Sequence, residues 1–169
     1  MNEKQLNLAI TMAAKDKLTA LGADVYLTRL GDEYLSLDAR TTFLEEIEPD
    51  LSVSIHQNSM GYTADITKIR GTLALWCMDS GRLLSDCVGK SVSSALGRHY
   101  QGSKYQMLAM CKNPKFPQAL IEVGFITSVE EYELTSSSSG IDRAAEGIAQ
   151  GVLDYFAKQT EFTSFSDKS

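Results

Sequence analysis

Apolar residues recur at helical spacing from the start of the chain: Leu6, Ala9, Ile10, Ala13, Ala14, Leu18 and Leu21, with Gly22 placed to end the helix. Asp24 to Arg29 alternates as a strand does, Gly31 and Asp32 mark a turn, and Ser36 is positioned to cap a helix that runs to about Glu48 before Pro49. A strand over 51–56 leads into a polar loop from Gln57 to Arg70, and a third strand follows over 71–78. Asp79 or Ser80 opens the next helix. Its stripe of Leu83, Leu84, Cys87, Val88, Val92, Ala95 and Leu96 stops near Gly97. A short strand is expected within Tyr105 to Cys111, 118–123 reads as the last clear one, and Val129 to Leu134 as one or two helical turns. Ile141, Ala144, Ala145, Ile148, Val152 and Phe156 then define a closing helix to about Lys158. Strands alternating with helices predict an α/β three-layer sandwich, with a largely parallel mixed sheet covered by helices on both faces.

Composition narrows the picture. With 169 residues and 43% hydrophobic content, the chain is expected to form one domain, residues 1–158, with a Ser- and Thr-rich disordered tail over 159–169. Sixteen basic against 22 acidic residues give a net charge of −6 without a basic cluster, which argues against nucleic acid as a partner. Three cysteines, Cys77, Cys87 and Cys111, lack Cys-x-x-Cys spacing and read as small buried hydrophobes. No apolar run is long enough for a transmembrane segment, and the first residues carry no export signal.

Two residues stand out against this background. Glu122 is a carboxylate inside the apolar strand Ala119-Leu-Ile-Glu-Val-Gly-Phe125, and His56 ends Leu51-Ser-Val-Ser-Ile-His56. A buried carboxylate needs a cation or strong donor, and ligand-binding groups in α/β sheets gather at the carboxyl ends of strands, so the pair points to a shared polar site and to a metal. Each residue alone also fits a structural role, His56 as a satisfied polar residue and Glu122 as an ion-pair partner. Glu3 opens the first helix, where the helix dipole by itself favours a carboxylate. His99 reads as a surface residue, Trp76 as core, and Gly124 as a turn or close backbone approach.

Five segments carry a resemblance: Glu3-Lys-Gln-Leu-Asn-Leu-Ala-Ile10, Val25-Tyr-Leu-Thr-Arg29, Leu37-Asp-Ala-Arg40, Ser54-Ile-His-Gln-Asn58 and Leu120-Ile-Glu-Val-Gly-Phe125. In order and spacing the chain resembles the zinc-dependent N-acetylmuramoyl-L-alanine amidases of the type 3 cell-wall hydrolase family. The resemblance implies a Zn2+ cofactor, with Glu3 and His56 as metal ligands and Glu122 as the catalytic carboxylate. It implies peptidoglycan or a muropeptide as substrate, cleaved at the amide joining the lactyl group of N-acetylmuramic acid to L-alanine. Arg29 and Arg40 match recurring positions, as substrate-binding groups or as structural ion pairs, and Asn58 is read as holding the loop after His56 or donating to substrate, the loop role being favoured. The family's usual first strand, which ends in another ligand histidine, has no counterpart here. The expectation is therefore a sheet whose first strand is missing, and an extracellular or cell-wall location for a longer parent. A metal-free, non-catalytic peptidoglycan-binding or regulatory module is the alternative, and oligomeric state is left open.

Overall fold

A computed structural model describes residues 1–61 and 70–166, with side chains through Thr160. Most of the polar loop expected from Gln57 to Arg70 thus lies outside the described residues, as do 167–169. Helix α1 (Glu3–Ala20) begins at Asn2, whose side chain accepts from the Gln5 N–H while the Gln5 side chain accepts from the Asn2 N–H. Gly22, at φ 93°, follows its end, as the sequence predicts. Helix α2 (Leu37–Ile47) is capped by Ser36, whose hydroxyl accepts from the Ala39 N–H at 3.1 Å. Strand β1 (Ser52–Asn58), strand β2 (Thr72–Trp76) and helix α3 (Ser80–Leu96) follow, α3 ending on Gly97 at φ 65°. Strand β3 (Tyr100–Tyr105), strand β4 (Gln118–Phe125), helix α4 (Val129–Ser136) and helix α5 (Ser138–Ser166) complete the order.

The four strands lie in the order β1-β4-β2-β3. β1 pairs with β4 and β2 with β3 in parallel, and β2 meets β4 antiparallel, so the mixed, largely parallel α/β sheet of the sequence reading is present. Alternation along β4 divides its side chains. Ala119, Ile121 and Val123 enter the main core with Leu6 and Ile10 of α1, Leu84, Val88 and Val92 of α3, and Ile148 and Val152 of α5. Each such fully buried aliphatic side chain is worth about 1.5–3 kcal/mol relative to exposure. Leu120 packs on the opposite face with Leu75 and Cys111, while Leu44 of α2 packs with Met110 and Phe116.

Three local expectations are corrected. Asp24 to Arg29 forms no strand: the sheet ends at β1, and an alternating pattern without a hydrogen-bonded neighbour leaves no ladder to join. The short strand expected within Tyr105–Cys111 lies earlier, at Tyr100–Tyr105, where it pairs with β2, and Ala109–Cys111 is a 3-10 turn. Helix α5 is assigned past Lys158, to Ser166, and Thr160 Oγ1 donates to the Phe156 carbonyl at 2.7 Å beyond the apolar stripe.

Candidate metal and catalytic site

Strand direction gathers the chemistry at one end of the sheet. β1 and β4 are parallel and finish together, and β2, antiparallel to β4, starts at that same end. His56 is the register partner of Glu122, so the two side chains emerge side by side on one face. Glu3, in the first turn of α1, reaches them across the chain: its Oε1 lies 3.1 Å from His56 Nδ1.

Glu3 Oε1 also accepts from the Gln57 N–H at 3.3 Å and from Asn7 Nδ2 at 3.2 Å, while Gln57 Nε2 donates to Asn7 Oδ1 at 3.2 Å. These contacts, the one from His56 foremost, hold the Glu3 carboxyl below its ordinary 4.5 against the opposing effect of partial burial. An ionised carboxylate only accepts, so His56 Nδ1 donates to it, and in the neutral ring Nε2 keeps its lone pair. Sequence reasoning passed over Asn7 and Gln57. Asn7 stands one helical turn after Glu3, a spacing that puts both on one face, whereas the Gln57 contact spans 54 residues and has no local signature.

Glu122 sits differently. Leu73 is opposite it on β2 and His56 on β1, and its Oε2 is buried without a hydrogen-bond partner among the described residues. Burial pushes its carboxyl above the ordinary 4.5, the Glu3 charge adds to the rise, and His56 opposes it. Two carboxylates in one site are thus driven in opposite directions, the arrangement that separates a fixed charge from a proton carrier.

Arg29, Arg40, Glu3 and His56 line one open cavity of about 960 Å³, which residues 51–56 of β1 and residues 22–29 also border. Both arginines make structural contacts there. Arg29 donates to the carbonyls of Gly31 and Lys4, and Arg40 donates to the Leu35 carbonyl at 3.3 Å and to Thr28 Oγ1 at 3.0 Å. Asn58 Oδ1 accepts from the Ser59 N–H at 2.8 Å, and the Asn58 carbonyl accepts from the Ile126 N–H at 2.9 Å, which ties the end of β1 to the turn after β4. His99 is exposed, and its carbonyl accepts the Thr72 N–H at the start of β2.

The donor chemistry fits zinc in kind. His56 Nδ1 and Glu3 Oε1, 3.1 Å apart, are donors that a zinc ion would hold in place of the proton that links them in the metal-free chain. Among the described residues no group of three or more His, Cys, Asp and Glu side chains is placed to hold a metal.

A family model described as N-acetylmuramoyl-L-alanine amidase matches residues 1–154. The chain is 32% identical over 154 residues to the uncharacterized protein YqiI of Bacillus subtilis, covering 91% of this chain and 74% of that protein. It is 27% identical to N-acetylmuramoyl-L-alanine amidase LytC of the same organism, again over 91% of this chain but only 31% of LytC. Among solved structures it resembles the catalytic domain of the amidase CwlV from Bacillus (Paenibacillus) polymyxa, with a TM-score of 0.84 at 27% identity over 92% of this chain and 86% of that one. The N-acetylmuramoyl-L-alanine amidase of Clostridium difficile 630 superposes with a TM-score of 0.86 at 28% identity, over 93% and 85% of the two chains. With the family model spanning nearly the whole fold and the solved amidases sharing it, the chain belongs to the N-acetylmuramoyl-L-alanine amidase family, a family of hydrolases.

Proposed function

We propose that this chain hydrolyses the amide between the lactyl group of N-acetylmuramic acid and L-alanine in peptidoglycan, with Glu122 as the acid–base residue and Glu3 and His56 as zinc ligands. The observation that carries the reading is the convergence of Glu3, His56 and Glu122 from a helix start and two strands onto one end of the sheet. Zinc, when bound, supplies Lewis acidity toward the scissile carbonyl. The residues of the chain do the rest. Glu122, whose buried setting favours holding a proton, takes one from the attacking water and passes it to the departing L-alanine amine as the C–N bond breaks. Asn7 and Gln57 hold the Glu3 carboxylate in place beside His56. Arg29 and Arg40 hold the cavity wall through the backbone and hydroxyl contacts they make, and Asn58 holds the turn beyond β4. The site of action is the cell wall, where the relatives named as cell wall amidases work. No described helix is long and apolar enough to cross a membrane.

A second reading, a metal-free peptidoglycan-binding module, draws on the limited ligand set among the described residues. Elemental mass spectrometry after dialysis, paired with release of free L-alanine amino ends from purified peptidoglycan, separates the two. The enzyme reading expects close to one zinc per chain, loss of that zinc in His56→Ala, and loss of turnover with zinc retained in Glu122→Gln. Peptidoglycan that binds the chain without being cut, at negligible zinc, would establish the binding module instead.

A further inference from the structure

We propose that Arg98 and Glu131 are positioning residues for catalysis: together they hold the end of β4 in place immediately after Glu122. The inference rests on the reading of Glu122 as the acid–base residue.

The regular ladder breaks at this point, to resume at Asn58 opposite Phe125. Pairing between β2 and β4 ends at Leu73 opposite Glu122, and the β1–β4 register slips between His56 and Asn58. Val123 and Gly124 therefore lie where the regular ladder is interrupted, and buried backbone groups without partners are costly. Side chains take over. Glu131 Oε2 accepts from the Phe125 N–H and Oε1 from the Gly71 N–H, each at 2.8 Å. Arg98 Nη1 donates to the Val123 carbonyl at 3.3 Å, and Thr72 Oγ1 donates to the same carbonyl at 2.9 Å. Arg98 Nη2 donates to the Glu131 carbonyl and to Thr135 Oγ1, both at 2.6 Å, which locks the first turn of α4 to the strand.

The two side chains are only 4% and 6% exposed, yet their direct contact, Nε to Oε1, is a long 3.9 Å. A buried ion pair is a poor source of stability even when its geometry is good, and this one spends its hydrogen bonds on backbone instead of on itself. Gly124 belongs to the same device. A Cβ there would stand 2.0 Å from Arg98 Nη1 and 3.3 Å from Glu131 Oε2, so only glycine lets both groups close on the strand. Glu131 fastens Phe125, three residues after Glu122, to Gly71, the residue before β2, whose Leu73 is the register partner of Glu122.

The test uses the full chain loaded with zinc, purified peptidoglycan, and two variants. Glu131→Gln cannot accept from both N–H groups, and Thr135→Val removes one Arg98 acceptor without stranding a charge. In Glu131→Gln, amide exchange at Phe125 and Gly71 read by NMR is expected to quicken about tenfold or more, and kcat to fall about tenfold or more at unchanged KM, because small displacements of a reacting group are costly. Thr135→Val is expected to lower kcat at unchanged KM by a smaller factor, and it carries the test if the first variant does not fold. A folded variant with parental kcat, or with unchanged exchange at Phe125, overturns the proposal. A parent chain that cuts no peptidoglycan overturns the amidase reading and the catalytic role of the clamp together. Unchanged exchange with an active parent overturns the clamp alone.

Discussion

Replacing Glu122 by glutamine should separate catalysis from stability. Glu122 Oε2 is sealed without a hydrogen bond among the described residues, between Leu73 on β2 and His56 on β1. What glutamine relieves is the charge, whose extra desolvation over a neutral polar group of the same shape is, in a side chain that is partly exposed, on the order of 1 kcal/mol. Glutamine keeps the shape and removes the charge. Glu122→Gln is therefore expected to abolish turnover while raising the metal-free melting temperature by about 2–4 °C for a chain of this size. The pH dependence follows from the raised carboxyl. A folded state that holds the proton more tightly than the unfolded chain suffers no penalty below the unfolded value near 4.5; the penalty grows as pH rises and is complete above the folded value. The gap between variant and parent should thus be absent at about pH 4 and open on the way to neutrality. Thermal unfolding followed by circular dichroism, in chelator, over about pH 4 to 8 measures it. A variant no more stable than its parent at neutral pH, or a gap independent of pH, would refute the burial argument.

Two further outcomes are expected. An alanine Cβ at Gly151 would stand 2.4 Å from the Val88 Cα, so Gly151→Ala should force α5 away from α3 and lower stability by about 1–3 kcal/mol. Urea unfolding checks this, and an unchanged midpoint would mean that the helices yield freely. Glu3→Gln removes a carboxyl held below 4.5 chiefly by the hydrogen bond from His56. Its contribution is full above the unfolded value and is lost as pH falls through the folded one, so the parent's advantage should be largest at neutral pH and vanish in acid. Acid unfolding curves of the two chains give the answer, and calorimetry should show weaker zinc binding by the variant.

Elements set by local rules were legible in the sequence. Ser36 caps α2, Gly97 ends α3, and the stripes of α1, α3 and α5 face the core as their spacing requires. Glu122 could be singled out because a carboxylate breaks an apolar strand, and Glu3 and Arg40 because they fall in recurring motifs. Local pattern failed where pairing decides. The alternation at Asp24 to Arg29 says strand, yet no strand pairs with it among the described residues, while Tyr100–Tyr105, with a weaker pattern, is a strand because β2 lies beside it.

Chemistry depended on tertiary structure in the same way. Glu3 and His56 are 53 residues apart and meet only because α1 starts where β1 ends. Register made His56 the neighbour of Glu122 on one side and Leu73 its neighbour on the other. Glu131 looks in the sequence like an ordinary first-turn carboxylate, and its role at Phe125 and Gly71 exists only in the folded chain. Periodicity and caps act over a few residues and can be read from order alone, whereas hydrogen-bond partners, burial and the resulting pKa shifts are set by groups far away in sequence.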